Sequence, residues 1–218
     1  MPLEVVPSLL CKTREELIQT IKTVELLCKR VHIDIADGVF VQNTTIALDD
    51  LSGIQTKKRI ELHLMVRRPH EYIQRIALLK KKPWCVIIHS ESCSQSEAEL
   101  LFKKLRELNI KIGIACLIKT PISLILSLAK EADVVVIMTV KAGFGGQEMH
   151  EEALKKVARL RELFPNKDIE IDGGVNTQTI RLCQDAGAST VVVGSTIFQA
   201  KSAAVALQHL REVVLQRG

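Results

Sequence analysis

The sequence predicts a single closed (β/α)8 barrel, and three observations lead there. The chain has 218 residues, the size of one barrel of the smaller kind. Eight short apolar runs alternate with amphipathic stretches from one end to the other, the order that builds a parallel sheet covered by helices. Hydrophobic residues make up 47% of the chain but aromatics only 3%, so Leu, Ile, Val and Ala must fill the interior, as they do in layered barrel cores. Periodicity does not by itself show closure, and an open doubly wound sheet stands as the structural alternative. No Pro- or Ser-rich linker divides the chain, so residues 1–218 read as one domain.

Strands are predicted over 5–10, 31–35, 60–65, 85–89, 111–117, 134–140, 169–171 and 190–193. Helical periodicity spans 13–28, 69–79, 94–108, 121–129, 151–164 and 177–186, and 203–216 closes the chain. The connection over 44–55 is weaker and predicts a short helix at most. Punctuation agrees: Thr13 and Glu16 have capping-box spacing, and Pro69 and Pro121 stand at helix starts. Gly187 falls where a left-handed C-terminal cap is expected.

Thirty Lys and Arg against twenty-five Asp and Glu give a net charge of +5. The basic clusters at Lys57-Lys58-Arg59, Arg67-Arg68 and Lys80-Lys81-Lys82 read as solvated helix ends and loops. A nucleic-acid surface would interleave aromatics with them, and only Trp84 lies near one. Mild positive charge suits a phosphorylated substrate. No apolar stretch approaches the roughly 20 residues needed to cross a bilayer. Met1 to Glu4 carry no basic segment leading into an apolar run, and the six cysteines are scattered without a C-x-x-C pair. A cytoplasmic protein with reduced thiols is expected.

In a parallel barrel the residues ending the strands face the active site. His32 and Asp34 lie two apart in the second strand and share a face. His63, with Met65, ends the third strand, and Asp172 tips the seventh. Such a His2Asp2 set suits a borderline divalent metal: zinc, iron(II), manganese or cobalt. Spacing leaves the metal and a structural role equally open, because three strands must converge. Asp37-Gly38 reads as turn chemistry. Gly143, Phe144, Gly145, Gly146 and Gln147 follow the sixth strand and can form a mobile lid. Gly173 and Gly174 follow the seventh, and Gly194 and Ser195 follow the eighth, where barrels of this kind build a phosphate cradle. No Walker loop or dinucleotide fingerprint is present, so no nucleotide cofactor is expected.

These segments together resemble the ribulose-phosphate 3-epimerase family. Pro7-Ser8-Leu9-Leu10, His32-Ile33-Asp34, Asp37-Gly38, His63-Leu64-Met65, Met138-Thr139-Val140, Gly143-Phe144-Gly145-Gly146-Gln147, Asp172-Gly173-Gly174 and Gly194-Ser195 occur in that family's order and spacing. The resemblance implies one metal held by His32, Asp34, His63 and Asp172, with Asp34 and Asp172 as the acid/base pair. It implies that Ser8 and His63 contact a sugar phosphate, that the three glycine segments hold its phosphate or close over it, and that the protein is homo-oligomeric. Met65 and Met138 match methionines lining the site. Ala36 and Ala142 replace a usual methionine and proline, Val39 and Gln42 a usual histidine and proline, and Asn43 is retained. These changes bear on rate and on five- versus six-carbon substrates, such as allulose 6-phosphate. Barrel lyases of the hexulose-phosphate synthase or orotidylate decarboxylase type carry Asp-x-Lys-x-x-Asp. Here Asp34-Ile35-Ala36-Asp37 lacks the lysine. A barrel that binds sugar phosphate without turnover would have lost an acid/base or metal position, and none is lost.

Overall fold

All eight apolar runs become strands, and a computed structural model describing residues 3–216 pairs them in sequence order into a closed, wholly parallel barrel. The strands are β1 (Glu4–Leu9), β2 (Arg30–Ala36), β3 (Arg59–Met65), β4 (Cys85–His89), β5 (Lys111–Cys116), β6 (Val134–Met138), β7 (Asp168–Asp172) and β8 (Thr190–Val193). Closure comes from β8 pairing with β1, with Val193 opposite Pro7. The open-sheet alternative is thereby excluded. Around the barrel lie α1 (Arg14–Val24), α2 (Pro69–Ile76), α3 (Gln95–Glu107), α4 (Leu126–Glu131), α5 (Leu154–Leu163), α6 (Ile180–Asp185), α7 (Ser195–Phe198) and α8 (Ala203–Leu215).

Several ends fall short of the periodic pattern, each for a local reason. α1 stops at Val24, and the Glu25 carboxylate then accepts from the Thr56 hydroxyl and the Lys57 N–H, pinning the chain to the next loop. α2 stops at Ile76 because Lys82 Nζ satisfies the carbonyls of Ala77 and Leu79. Pro121 does not open an α-helix: a 3-10 turn over Ile122–Leu124 comes first. Asn176 Oδ1 accepts from the N–H groups of Gln178 and Thr179, which delays α6 until Ile180. β6 ends at Met138, and Thr139 turns its N–H to the Asp172 carbonyl and its hydroxyl to the Gly173 carbonyl. At the start of α1, Thr13 accepts from the Glu16 N–H, but the Glu16 carboxylate takes the N–H of Lys12 instead of closing the box. Gly187 is left-handed at φ +93°, as a helix terminus requires.

Parity sorts each strand into two environments. Val31, Ile33 and Ile35 of β2, Leu62 and Leu64 of β3, and Val135 and Ile137 of β6 belong to the layer between barrel and helices. The alternate positions enter the lumen. There the two sides differ. Cys85, Ile87, Ala115, Val134, Val136 and Met138 make β4–β6 an apolar wall. On β2, β3, β7 and β8 the same layers hold Arg30, His32, Asp34, Glu61, His63, Glu170 and Thr190, all buried. Among the described residues, no helix is long and apolar enough to cross a membrane. All six cysteines are free, and burial pushes the Cys116 and Cys183 thiols up to about 12.

Candidate active site

Register brings the strand-end residues together. Asp34 lies opposite His63 across the β2–β3 ladder, Ser8 opposite His32, and Met138 opposite Asp172. His63 Nδ1 sits 2.9 Å from Asp34 Oδ1 and 3.5 Å from Asp172 Oδ2. His32 Nε2 is 3.5 Å from Asp34 Oδ1 and 4.0 Å from Asp172 Oδ2. One donor atom from each of the four lies within 4.8 Å of the others. The Ser8 hydroxyl donates to Asp34 Oδ2 at 2.8 Å, fixing the carboxylate from its other side. His32 Nε2 is fully buried and has no hydrogen-bond partner, which is costly for a polar atom unless something positive meets it. That orphan nitrogen, aimed with the Asp34 and Asp172 carboxylates at one point, fits a divalent cation held by two nitrogens and two oxygens.

The two aspartates stand in different fields. Burial alone would raise Asp34, but the nearby His32 and the hydrogen-bonded His63, with their charge, hold it below the usual carboxylate range. Asp172 moves the other way, raised by burial and by the neighbouring Asp34 charge. His32 would be lowered by burial, yet Asp34, Glu170 and Glu61 lift it well above an ordinary imidazole. Beneath these residues lies a charged floor. His32 Nδ1 is 3.2 Å from both Glu61 Oε2 and Glu170 Oε1. Arg30 lies below, 3.3 Å from Glu61, 3.5 Å from Glu170 and 2.6 Å from the Thr190 hydroxyl. Its guanidinium rests on the Trp84 ring, 5.1 Å from the centroid. Burial and the Glu61 charge push the Glu170 carboxyl up to about 7.

Above the cluster opens a cavity of about 530 Å³ at the C-terminal ends of the strands. Ser8, Asp34, Met65, Met138 and Asp172 line its depth. The glycine segments ring its mouth: Gly143, Phe144, Gly145 and Gly146, then Gly173 and Gly174, then Gly194 and Ser195. His32 and His63 are wholly buried below it and do not reach its surface. Both ring nitrogens of His63 face protein side chains, Asp34 on one side and His89 on the other. At Gly174, φ is +65° and an added Cβ would come 2.5 Å from the Met149 backbone nitrogen, so only glycine fits. Around Gly145 and Gly146 an added Cβ would meet nothing within 4 Å, and this loop is free on its outer side. Its inner side is fastened. Asn43 Nδ2 donates to the Gly143 carbonyl, and Lys12 Nζ reaches Asn43 Oδ1 and the Thr44 carbonyl.

Sequence reasoning missed Arg30, Glu61, Glu170, His89 and Glu91. The signal was present as parity: Glu61 and Glu170 stand two residues before His63 and Asp172, and His89 ends β4 as His63 nearly ends β3.

The family model for ribulose-phosphate 3 epimerases matches residues 4–198. This chain belongs to that family. Its relatives include the ribulose-phosphate 3-epimerase of Schizosaccharomyces pombe, 33% identical over 85% of this chain and 82% of that one. The ribulose-phosphate 3-epimerase of Bacillus subtilis is 31% identical over 96% of this chain and 98% of its own. An epimerase, and so an isomerase, is what this family membership makes the chain. Among solved structures, KGPDC from Streptococcus mutans superposes with a TM-score of 0.77 at 14% identity, covering 98% of each chain. 3-Hexulose-6-phosphate synthase superposes with a TM-score of 0.70 at 17% identity, over 98% of this chain and 99% of that one. At such identities these two likenesses speak for the barrel alone.

Proposed function

We propose that this chain interconverts D-ribulose 5-phosphate and D-xylulose 5-phosphate by inverting C3, a step of the pentose phosphate pathway. The observation that carries the reading is the pair Asp34 and Asp172. They rise from β2 and β7, with β8 and β1 between them, meet at His63 Nδ1, and favour opposite protonation states. Inversion needs this. One carboxylate removes the C3 proton from one face of the sugar, and the other acid returns a proton to the opposite face of the planar enediolate. In this reading Asp34 begins as the base, oriented by Ser8, and Asp172 begins as the acid. His32, Asp34, His63 and Asp172 would hold one divalent cation, zinc, iron(II), manganese or cobalt. When bound, that cation supplies electrostatic stabilisation of the negative charge growing on the sugar oxygens.

The remaining residues bind and enclose. Backbone N–H groups of Gly173, Gly174, Gly194 and Ser195 receive the phosphate, as loops after the last two strands do in such barrels. Met65 and Met138, each 2% exposed, present apolar surface beside the reacting carbon and keep water from it. The loop from Gly143 to Gln147 closes over the sugar. Its shape is kept by Gln147 Nε2, which donates to the carbonyls of Lys141 and Phe144 at 2.7 Å. No nucleotide is called for, because the proton removed is the only group transferred. A relative is named as a cytoplasmic isoform, and we assign this chain to the cytoplasm too, as a homo-oligomer.

The deciding experiment purifies the protein with its native metal and compares turnover of D-ribulose 5-phosphate and D-allulose 6-phosphate. Faster turnover of the five-carbon sugar is expected, with solvent deuterium appearing at C3. A preference for the six-carbon sugar would move the reading to the related ketose-phosphate epimerase, and no exchange with either would refute it.

A further inference from the structure

The third histidine of the lumen, His89, belongs to no part of the chemistry above, yet it is completely buried and touches His63. His89 Nε2 lies 2.8 Å from His63 Nε2. On the far side of its ring, Nδ1 lies 3.4 Å from Glu91 Oε2. Glu91 is itself held: its Oε1 accepts from the Leu117 N–H at 2.9 Å and from the Thr120 hydroxyl. Phe40 covers the His89 ring, with centroids 4.8 Å apart. Two imidazole nitrogens at hydrogen-bond distance need one hydrogen between them, and the rest of the site decides whose it is. His63 Nδ1 faces Asp34 and Asp172. If that nitrogen offers its lone pair to a cation, the ring hydrogen sits on Nε2 and points at His89. His89 must then accept at Nε2 and carry its own hydrogen on Nδ1, toward Glu91. The relay then runs in one direction, with His89 Nδ1 facing the Glu91 carboxylate at 3.4 Å.

We infer that His89, oriented by Glu91, is a positioning residue that fixes the tautomer and ring angle of His63 for a divalent cation. The inference rests on the proposed reading of His63 as a ligand. A histidine ligand ordinarily donates its second N–H to a carboxylate or carbonyl. His32 has such partners directly in Glu61 and Glu170, whereas His63 reaches its carboxylate through one intervening imidazole. Glu91 and its anchors on the β5–α4 connection thereby become part of the cation site from outside the lumen.

Cobalt(II) alone is the probe. Its affinity is measured by chelator competition, and its visible spectrum reports ligand geometry. Parent protein and His63→Ala are compared first: no uptake by the parent, or uptake unchanged in His63→Ala, overturns the metal reading and this inference with it. Given uptake that needs His63, His89→Phe, which cannot accept the hydrogen bond, should bind roughly 10–100-fold more weakly and shift the spectrum. His89→Gln restores an acceptor and should recover most of the affinity. Glu91→Gln should fall between them. Nitrogen NMR of the zinc-loaded parent gives the same answer without mutation: hydrogen on Nε2 of His63 and on Nδ1 of His89. Hydrogen on Nε2 of His89, or parental affinity and spectrum in His89→Phe, would overturn the inference and leave the metal reading standing. Should His89→Phe fail to fold, the NMR result and the His89→Gln and Glu91→Gln affinities decide.

Discussion

The two sides of the lumen are made by the same rule and serve different ends. On β4–β6 the inward positions other than His89 include Cys85, Ile87, Ala115, Val134, Val136 and Met138, packed without a charge. On β2, β3 and β7 equivalent positions carry Arg30, His32, Asp34, Glu61, His63, Glu170 and Asp172. An apolar wall of this kind supports the barrel by burial alone. A buried charge column costs desolvation that attraction only partly returns, so stability is a poor reason for having one. The difference teaches that half of the lumen suffices to hold the layers together, which leaves the other half available for chemistry.

The largest effect should come from the charged side's uppermost layer. Asp34→Asn and Asp172→Asn keep the shape of the site but remove proton transfer, and each should cut kcat by roughly 10²–10⁴-fold. Isotope exchange separates the two. A variant lacking only the second acid should still exchange the C3 proton of one epimer without inverting it. If both retain cobalt and still turn over near the parental rate, the charged column has another purpose.

Next comes the floor. Arg30→Met leaves Glu61 and Glu170 buried without their cation, and should cost about 3–5 kcal/mol in urea unfolding. Adding Glu170→Gln removes one of the stranded charges and should return part of that loss. A double variant no more stable than Arg30→Met would mean that the floor tolerates unpaired carboxylates.

Acid sharpens the comparison, because two buried groups respond in opposite senses. Burial, with His63 nearby, pushes His89 down to about 4. The unfolded chain therefore takes up that proton first, and stability is lost as pH falls from 6.5 through 4, by about 3 kcal/mol. Glu170, raised to about 7, is protonated first in the fold. It adds stability as pH falls from 7 through 4.5, and Asp172 acts in the same sense. With metal removed by chelator, the parent's urea midpoint should stay nearly level down to pH 5. Glu170→Gln should fall steadily over that range, and His89→Gln should rise. Below pH 4.5 every version should weaken, because Glu91, held at about 2 by His89, Thr120 and the Leu117 N–H against its burial, must take up a proton on unfolding. A level profile for Glu170→Gln would remove the opposition.

The smallest effect belongs to the apolar wall. Ile87 fills the space above Gly113, where an added Cβ would come 2.4 Å from its Cγ1. Ile87→Val should cost about 0.5–1.5 kcal/mol in unfolding and leave cobalt affinity alone. A metal defect there would show that the two sides are coupled.

Strand positions could be read from the alternation of short apolar runs, and His32, Asp34, His63 and Asp172 from their places at the ends of three of those runs together with the family resemblance, whereas spacing did not show that the three strands converge. Arg30, Glu61 and Glu170 could not be read in the same way. Parity put them on a face, but a buried charge and a solvated one look identical until the partner is known, and Arg30 meets Glu170 across 140 residues of chain. His89 reads from sequence as a plain strand end, because its role depends on Glu91 and Thr120, which lie beyond the strand and in the following connection. Helix ends depart from the periodic pattern wherever a side chain from another loop, such as Lys82 or Asn176, takes over the backbone groups.

The floor also imposes an order of arrival. Arg30, Glu61, Glu170 and Trp84 close the lumen from below, so the mouth between the glycine segments is its way in. On the proposed reading a cation held by His32, Asp34, His63 and Asp172 would sit deeper than the sugar. It would have to enter first, and a seated sugar would stand over it like a stopper. Exchange of the ion would then be confined to the intervals between turnovers, and a chelator added to a saturated enzyme should work far more slowly than one added to an idle one.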